Sequence, residues 1–441
     1  MKRPEVKPPK PFKIKAPKRT ELPSGAVVET FQREGQLLAS VGIVLDIPLT
    51  LEPPDKEGVA GLTYSLVDQG TKKHPGETFN EKLADLGASI GGSVSYSATI
   101  ARMDVPVNNL KPALELAIEG LHEATFTDAD CERMKNIRLS DIDLMLSRAS
   151  TMASVMFRKA VIQDKYREGR LRVGSTETVG SLEPDDLREF YRRYYQPYGA
   201  SIIFAGDFDE DPADLAYSLG LDWQPGDLQR PPAEAPKPGP AKCLLIDNPG
   251  AVQADVELGG FGLDFMDPDY ARLWVACYAM GGAFLSRLNK VLREEKGFTY
   301  GAHMSNFAMR SGGLLAASGA FRNEVAVEAI NEMHKLTDVS KHPFTQAEVD
   351  DALSFAAGSN PGQYQTAQQL CDSMCDLGSV GLSYDYVNSF NEALIGVTPE
   401  AATEVYSRLM QWPTLVVVGD AESLEQPLKD SGWPVEVVSG P

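Results

Sequence analysis

The chain has 441 residues, 43% hydrophobic and 24% charged, with a formal net charge of −20. That is the composition of a globular protein long enough for two or more domains and for a core that needs no crosslinks. The acidity makes nucleic acid and anionic lipid poor partners and suits a basic peptide or a basic protein surface better.

Residues 1–20 (MKRPEVKPPKPFKIKAPKRT) hold eight Lys/Arg and one Glu. They read as a basic, proline-rich flexible arm. They lack the apolar stretch of a signal peptide, and no later run approaches membrane-spanning length, so the expected location is the cytoplasm, with no membrane partner. The five cysteines, Cys131, Cys243, Cys277, Cys371 and Cys375, form no C-x-x-C pair and read as small buried groups.

Leu22–Pro48 has the β-branched runs and turn residues of opening strands. The segment from Gly58 to Thr71 (GVAGLTYSLVDQGT) reads as a helix leading into a turn. An alternating segment, Ala88–Val107, precedes a helix expected over Leu110–Glu123. At Leu228–Lys242, five prolines in fifteen residues exclude a helix interior or a central strand and mark a stiff linker.

Beyond the linker the plan repeats. Cys243–Gly259 supplies opening strands, and Asp267-Pro268 starts a helix that stops near Gly281-Gly282. A further helix is expected over Ala283–Glu295, an alternating segment over Tyr300–Ala320, and a helix over Glu324–Leu336. Both halves end alike: a proline at a helix start (Pro184, Pro399), an aromatic (Tyr191, Tyr406), then an apolar strand closing on Gly-Asp. The offsets, 215 residues at the prolines and 213 at Gly206/Gly419, point to duplication. The expected fold is α+β: two homologous domains, 21–227 and 243–441, each an antiparallel sheet packed with helices.

The two-half layout and Gly58–Thr71 together resemble the pitrilysin/insulinase family of zinc peptidases, which includes the mitochondrial processing peptidase. Active members carry H-x-x-E-H within G-L-A-H-F-L-E-H-x-x-x-x-G-T. Gly58, Val59, Ala60, Gly70 and Thr71 match that frame, but Gly61, Tyr64 and Ser65 stand where the two His and the Glu would be. The family's third ligand would fall near Arg138–Asp143. None of the five histidines lies three or four residues from another, so no helical ligand pair exists. No metal or cofactor is expected in this chain.

The second half keeps another family pattern, GGAFLSRLNKVLREEKGFTY (Gly281–Tyr300). There an Arg and a Tyr seven apart reach into the zinc site from the opposite half, and Arg293 and Tyr300 match them in type and spacing. Arg287 reads as a structural anchor. Taken alone, the residues read as a solvated helix face and a core tyrosine; it is the family frame around them that points to function. The resemblance implies a clamshell-like half of a dimer: a zinc-free subunit paired with a homologous zinc-bearing subunit, lending it Arg293 and Tyr300 for peptide hydrolysis. It also implies a peptide-binding edge at Gly91, Gly92, Ser93 and Val94, where active relatives tend to have Asn-Ala in place of Gly91-Gly92. An inert scaffold and a peptide-binding module stand as the alternatives.

Overall fold

The computed structural model describes residues 12–195, 200–220, 234–411 and 413–440. They form two six-stranded sheets, one from each half of the chain. The first contains β1 (Lys18–Glu21), β2 (Val27–Gln32), β3 (Leu38–Leu45), β4 (Ser89–Val94), β5 (Thr99–Pro106) and β6 (Ser201–Gly206), in the order β1-β2-β6-β3-β5-β4. The second contains β7 (Cys243–Asp247), β8 (Gln253–Gly262), β9 (Ala302–Ala308), β10 (Gly313–Arg322), β11 (Thr414–Gly419) and β12 (Glu436–Val438), in the order β12-β7-β11-β8-β10-β9.

Five strands correspond in order, β2-β6-β3-β5-β4 with β7-β11-β8-β10-β9, while the outer strands differ: β1 opens its half and is antiparallel to β2, and β12 closes its half and is parallel to β7. The two-domain α+β expectation stands, and the sheets prove mixed where antiparallel ones were expected. In each sheet an early strand runs parallel to a late one, β2 with β6 and β7 with β11, and β12 is also parallel to β7. Crossovers rich in helix permit that pairing. β6 and β11 are central and covered on both sides, which is why SIIFAG and TLVVVG read as continuous apolar runs.

Nine helices matter here: α1 (Val59–Tyr64), α2 (Leu110–Glu123), α3 (Asp128–Leu146), α4 (Ala149–Val161), α5 (Pro184–Tyr194), α6 (Tyr270–Cys277), α7 (Asn323–Thr337), α8 (Ala367–Ser379) and α9 (Pro399–Leu409). α2 occupies the expected Leu110–Glu123. Pro184 and Pro399 open α5 and α9, where the missing N–H costs nothing. α6 begins later than expected. Asp267 turns back to accept the Asp269 amide at 2.8 Å, so the helix starts at Tyr270. The helix expected over Ala283–Glu295 forms only in its second part, as wide turns over Asn289–Glu295.

The halves exchange one helix each. α4, from the first half, lies on the second sheet, where Met156, Phe157 and Ala160 pack with Leu244, Val416 and Val418. α8, from the second half, lies on the first sheet, where Leu370, Cys371, Met374 and Cys375 pack with Val44, Ile100 and Ile203. Cys371 and Cys375 therefore fill a seam, as small apolar groups do. All five cysteines are free thiols.

The arm also departs from expectation. Residues 12–21 are tied down: Phe12 stacks on Tyr364 at 5.7 Å, the Ile14 amide donates to Asn388 at 2.8 Å, and β1 pairs with β2. Residues 1–11 lie outside the described residues, as do 228–233 of the proline linker. No helix among the described residues is long and apolar enough to cross a membrane.

Candidate functional site

The frame of the degenerate motif survives because it builds the fold. Gly58 has φ of +101°, and a Cβ there would meet the Val173 carbonyl at 2.7 Å. Its amide and that of Ala60 donate to the Glu52 carboxylate at 3.0 and 2.9 Å. Glu52 is in turn held by buried Arg167, with N–O distances of 2.8 and 2.9 Å. Thr71 is buried; its hydroxyl bonds Glu119 and accepts the His74 amide. These residues pin α1 whatever stands at positions 61, 64 and 65.

The three altered positions are filled. From α3, the Arg138 guanidinium lies over Gly61, its Nη1 3.1 Å from where a Cβ would be. Tyr64 donates its hydroxyl to the Gly91 carbonyl at 2.6 Å. Burial, with the charge of Asp68 adding to it, pushes that phenol well above its ordinary range, so it stays a neutral donor. Ser65 bonds back to the Leu62 carbonyl of its own helix at 2.8 Å.

Tyr64 also explains the Gly91-Gly92 pair. A Cβ at position 92 would lie 2.1 Å from the Tyr64 Oη and 2.1 Å from the Ile100 carbonyl oxygen. The tyrosine and the glycine are one steric unit. β4, which carries Gly91, Gly92, Ser93 and Val94, pairs with β5 on one side and, among the described residues, has no strand on the other.

Zinc does not fit this place: a glycine, a hydrogen-bonded phenol, a bonded hydroxyl and a guanidinium replace the ligands a catalytic zinc needs. Asp141 and Asp143, near the expected third ligand, are exposed on α3; it is Arg138 that faces the helix. Among the described residues no group of three or more His, Cys, Asp or Glu is arranged to hold a metal ion.

The second constellation is built differently. Gly281 admits β9, since a Cβ there would stand 2.2 Å from the Met304 amide. Asn289, buried, accepts the Ala302 amide at 2.9 Å and donates to Ser286 at 3.2 Å and Ala283 at 3.3 Å. This clamp, which the sequence reading missed, joins the wide-turn helix to β9 and so fixes the two residues between which Tyr300 stands. Tyr300 is 99% exposed and makes no hydrogen bond among the described residues.

Arg293 is only partly available. Its Nη2 donates to the Phe284 carbonyl at 2.9 Å, its Nε to Glu294 at 2.8 Å, and the guanidinium lies 3.9 Å from the Phe284 ring centroid. No hydrogen bond joins Arg293 to Tyr300. Arg287 is an anchor, bound to Glu348 at 2.7 Å and the Pro343 carbonyl at 2.8 Å and stacked on Phe344.

Two pseudo-symmetric α+β lobes, one carrying an inverted zinc motif stripped of its ligands, define a metallopeptidase fold with no metal site among the described residues. The residues match two family models: Insulinase (Peptidase family M16) over 27–173 and the Peptidase M16 inactive domain over 181–355. The chain belongs to the insulinase (M16) peptidase family. It is 23% identical over 425 residues to an uncharacterized zinc protease of Streptomyces coelicolor, covering 94% of this chain and 90% of that protein. It is 22% identical over 353 residues to a protein of Helicobacter pylori named a non-peptidase homolog, covering 78% and 79%. A crystal structure of a peptidase M16 inactive domain from Pseudomonas fluorescens shares the fold, with a TM-score of 0.84, 21% identity, and coverage of 92% of this chain and 98% of that one.

Proposed function

We propose that this chain is the zinc-free subunit of a heterodimeric zinc peptidase, working in the cytoplasm and lending Tyr300 and Arg293 to a peptide held at the zinc of a homologous partner subunit. The observation that carries the reading is the contrast between the halves. The metal half is packed shut by Tyr64 and Arg138, while Tyr300 stands fully exposed beside a buried clamp that fixes its position.

Hydrolysis at a zinc-bearing partner places negative charge on the former carbonyl oxygen. A neutral phenol is a donor for that oxygen, and the unused Nη1 donors of Arg293 add charge. Losing one such donor costs about 2.7–4 kcal/mol, or 10²–10³ in kcat. The open edge of β4 suits an extended peptide, which would add as a strand through Gly91–Val94. Tyr64 already occupies one acceptor there, so backbone pairing is expected to outweigh side-chain contacts.

The test is the assembly of this chain with its zinc-bearing homologue. Tyr300→Phe should lower kcat about a hundredfold with a smaller change in KM. Arg293→Ala should act in the same direction. The engagement of Arg293 with Glu294 and Phe284 favours a second reading, an inert scaffold. Full activity of the zinc subunit alone, or unchanged activity with Tyr300→Phe, would decide for it.

A further inference from the structure

The vacated metal position is occupied by a cation that has no counter-ion among the described residues. A guanidinium carries five N–H donors. Among the described residues Arg138 makes no hydrogen bond and no ion pair. Burial lowers its proton affinity, and the like charge of Arg172 lowers it further. The acids that oppose this are Asp141, beyond ion-pair distance on the same helix, and Glu52, already committed to Arg167 and two amides.

Arg172 is exposed, and its side chain also has no partner among the described residues. Its charge acts on a third arginine as well: Arg158 loses proton affinity chiefly to burial and partly to Arg172. Arg158 lies 5.0 Å over the Tyr96 ring and 5.3 Å over that of Phe307, which belongs to β9. A run of three arginines thus leads from α1 to the strand that follows Tyr300. Like charges drawn together beside unused donors are unfavourable for the chain alone. An anion relieves both costs.

We propose that Arg138, with Arg172 beside it, is a carboxylate site for a bound peptide, standing where an active relative would hold its metal. The planar fork suits bidentate recognition of a carboxylate, either the C-terminal α-carboxylate or an acidic side chain. The site belongs to this chain and needs no zinc-bearing partner, so it stands or falls apart from the proposed role of Tyr300.

The experiment uses the purified full chain and three fluorescent decapeptides of one apolar and serine-rich sequence: a free C-terminal acid, a C-terminal amide, and the amide with one internal Glu. Anisotropy titration should show a carboxylate-bearing peptide bound about tenfold or more tighter than the neutral amide. Which of the two gains identifies the carboxylate's source. Arg138→Gln should erase the gain and leave the neutral peptide's affinity in place. Arg138→Lys should restore only part of it. Equal affinities in the wild-type chain, or no binding of any peptide, would overturn the proposal even if a variant failed to fold. So would a gain that survives Arg138→Gln. Equal peptide affinities together with impaired subunit association in Arg138→Gln would overturn it too, and assign the guanidinium to a protein interface.

Discussion

Replacing Glu52 tests the statement that the motif frame is structural. The Glu52 side chain is 0% exposed and that of Arg167 5%, and they meet at 2.8 Å. Glu52 also accepts the amides that open α1. Glu52→Ala leaves the buried guanidinium with only the more distant Glu57 carboxylate, at 3.6 Å, and costs up to about 3–5 kcal/mol. The two freed amides add about 1 kcal/mol each where water does not reach them. A native protein is stable by only about 5–15 kcal/mol, so the variant should sit near the folding threshold. Glu52→Gln should be milder, because burial already pushes this carboxyl above its usual range against the pull of Arg167 and the amides. Urea unfolding followed by circular dichroism gives the stability, and hydrogen exchange over residues 59–64 gives the local effect. Replacing Arg167 by Met in the Glu52→Gln background should recover most of the loss, since no charge is then left unpaired. A Glu52→Ala cost below about 0.5 kcal/mol, within the range of an ordinary surface substitution, would refute the reasoning. A double variant no better than the single would do the same.

Three more predictions follow from other contacts. Gly61→His, Tyr64→Glu and Ser65→His together rebuild H-x-x-E-H but leave Arg138 over residue 61, so chelator competition should give a zinc Kd weaker than about 1 μM, tightening about tenfold or more once Arg138→Glu is added. Gly42→Ala places a Cβ 2.0 Å from the Cys375 sulfur and should cost about 1–3 kcal/mol in thermal or urea unfolding, most of it recovered by Cys375→Ala. Glu257, bonded to Ser154 of α4 at 2.8 Å, has its carboxyl raised by burial from 4.5 to about 7. The folded state therefore holds that proton more tightly than the unfolded state. Its contribution is fully present below about pH 4.5 and is lost as pH rises through about 7, a change of about 1–3 kcal/mol that Glu257→Gln should abolish in a pH series of unfolding curves.

What was legible in the sequence was local chemistry and duplication. α2 begins and ends where its periodicity stops, and Pro184 and Pro399 announced the helices they open. The repeated ending on Gly-Asp foretold two matching sheets. The exchange of α4 and α8 was not legible, because an apolar helix face does not say which sheet it covers. Nor was the anchoring of residues 12–21, whose partners Asn388 and Asn391 lie more than 370 residues away. Of the site, the loss of ligands at 61, 64 and 65 could be read directly. Arg138 could not, since its contact with Gly61 joins residues 77 apart and nothing in α3 marks it among the neighbouring charges. The fit between Tyr64 and Gly92 left a trace in the unusual Gly91-Gly92, which becomes intelligible only once the two segments are seen to touch.

The most direct measurement is the metal content and proteolytic activity of the purified chain after equilibration with excess zinc and removal of free metal. A chain whose motif is packed by Arg138 and Tyr64 should retain well under one zinc per molecule and cleave no peptide, with activity appearing only when the zinc-bearing homologue is added. One zinc per chain, lost to a chelator together with peptide hydrolysis by the chain alone, would contradict the account.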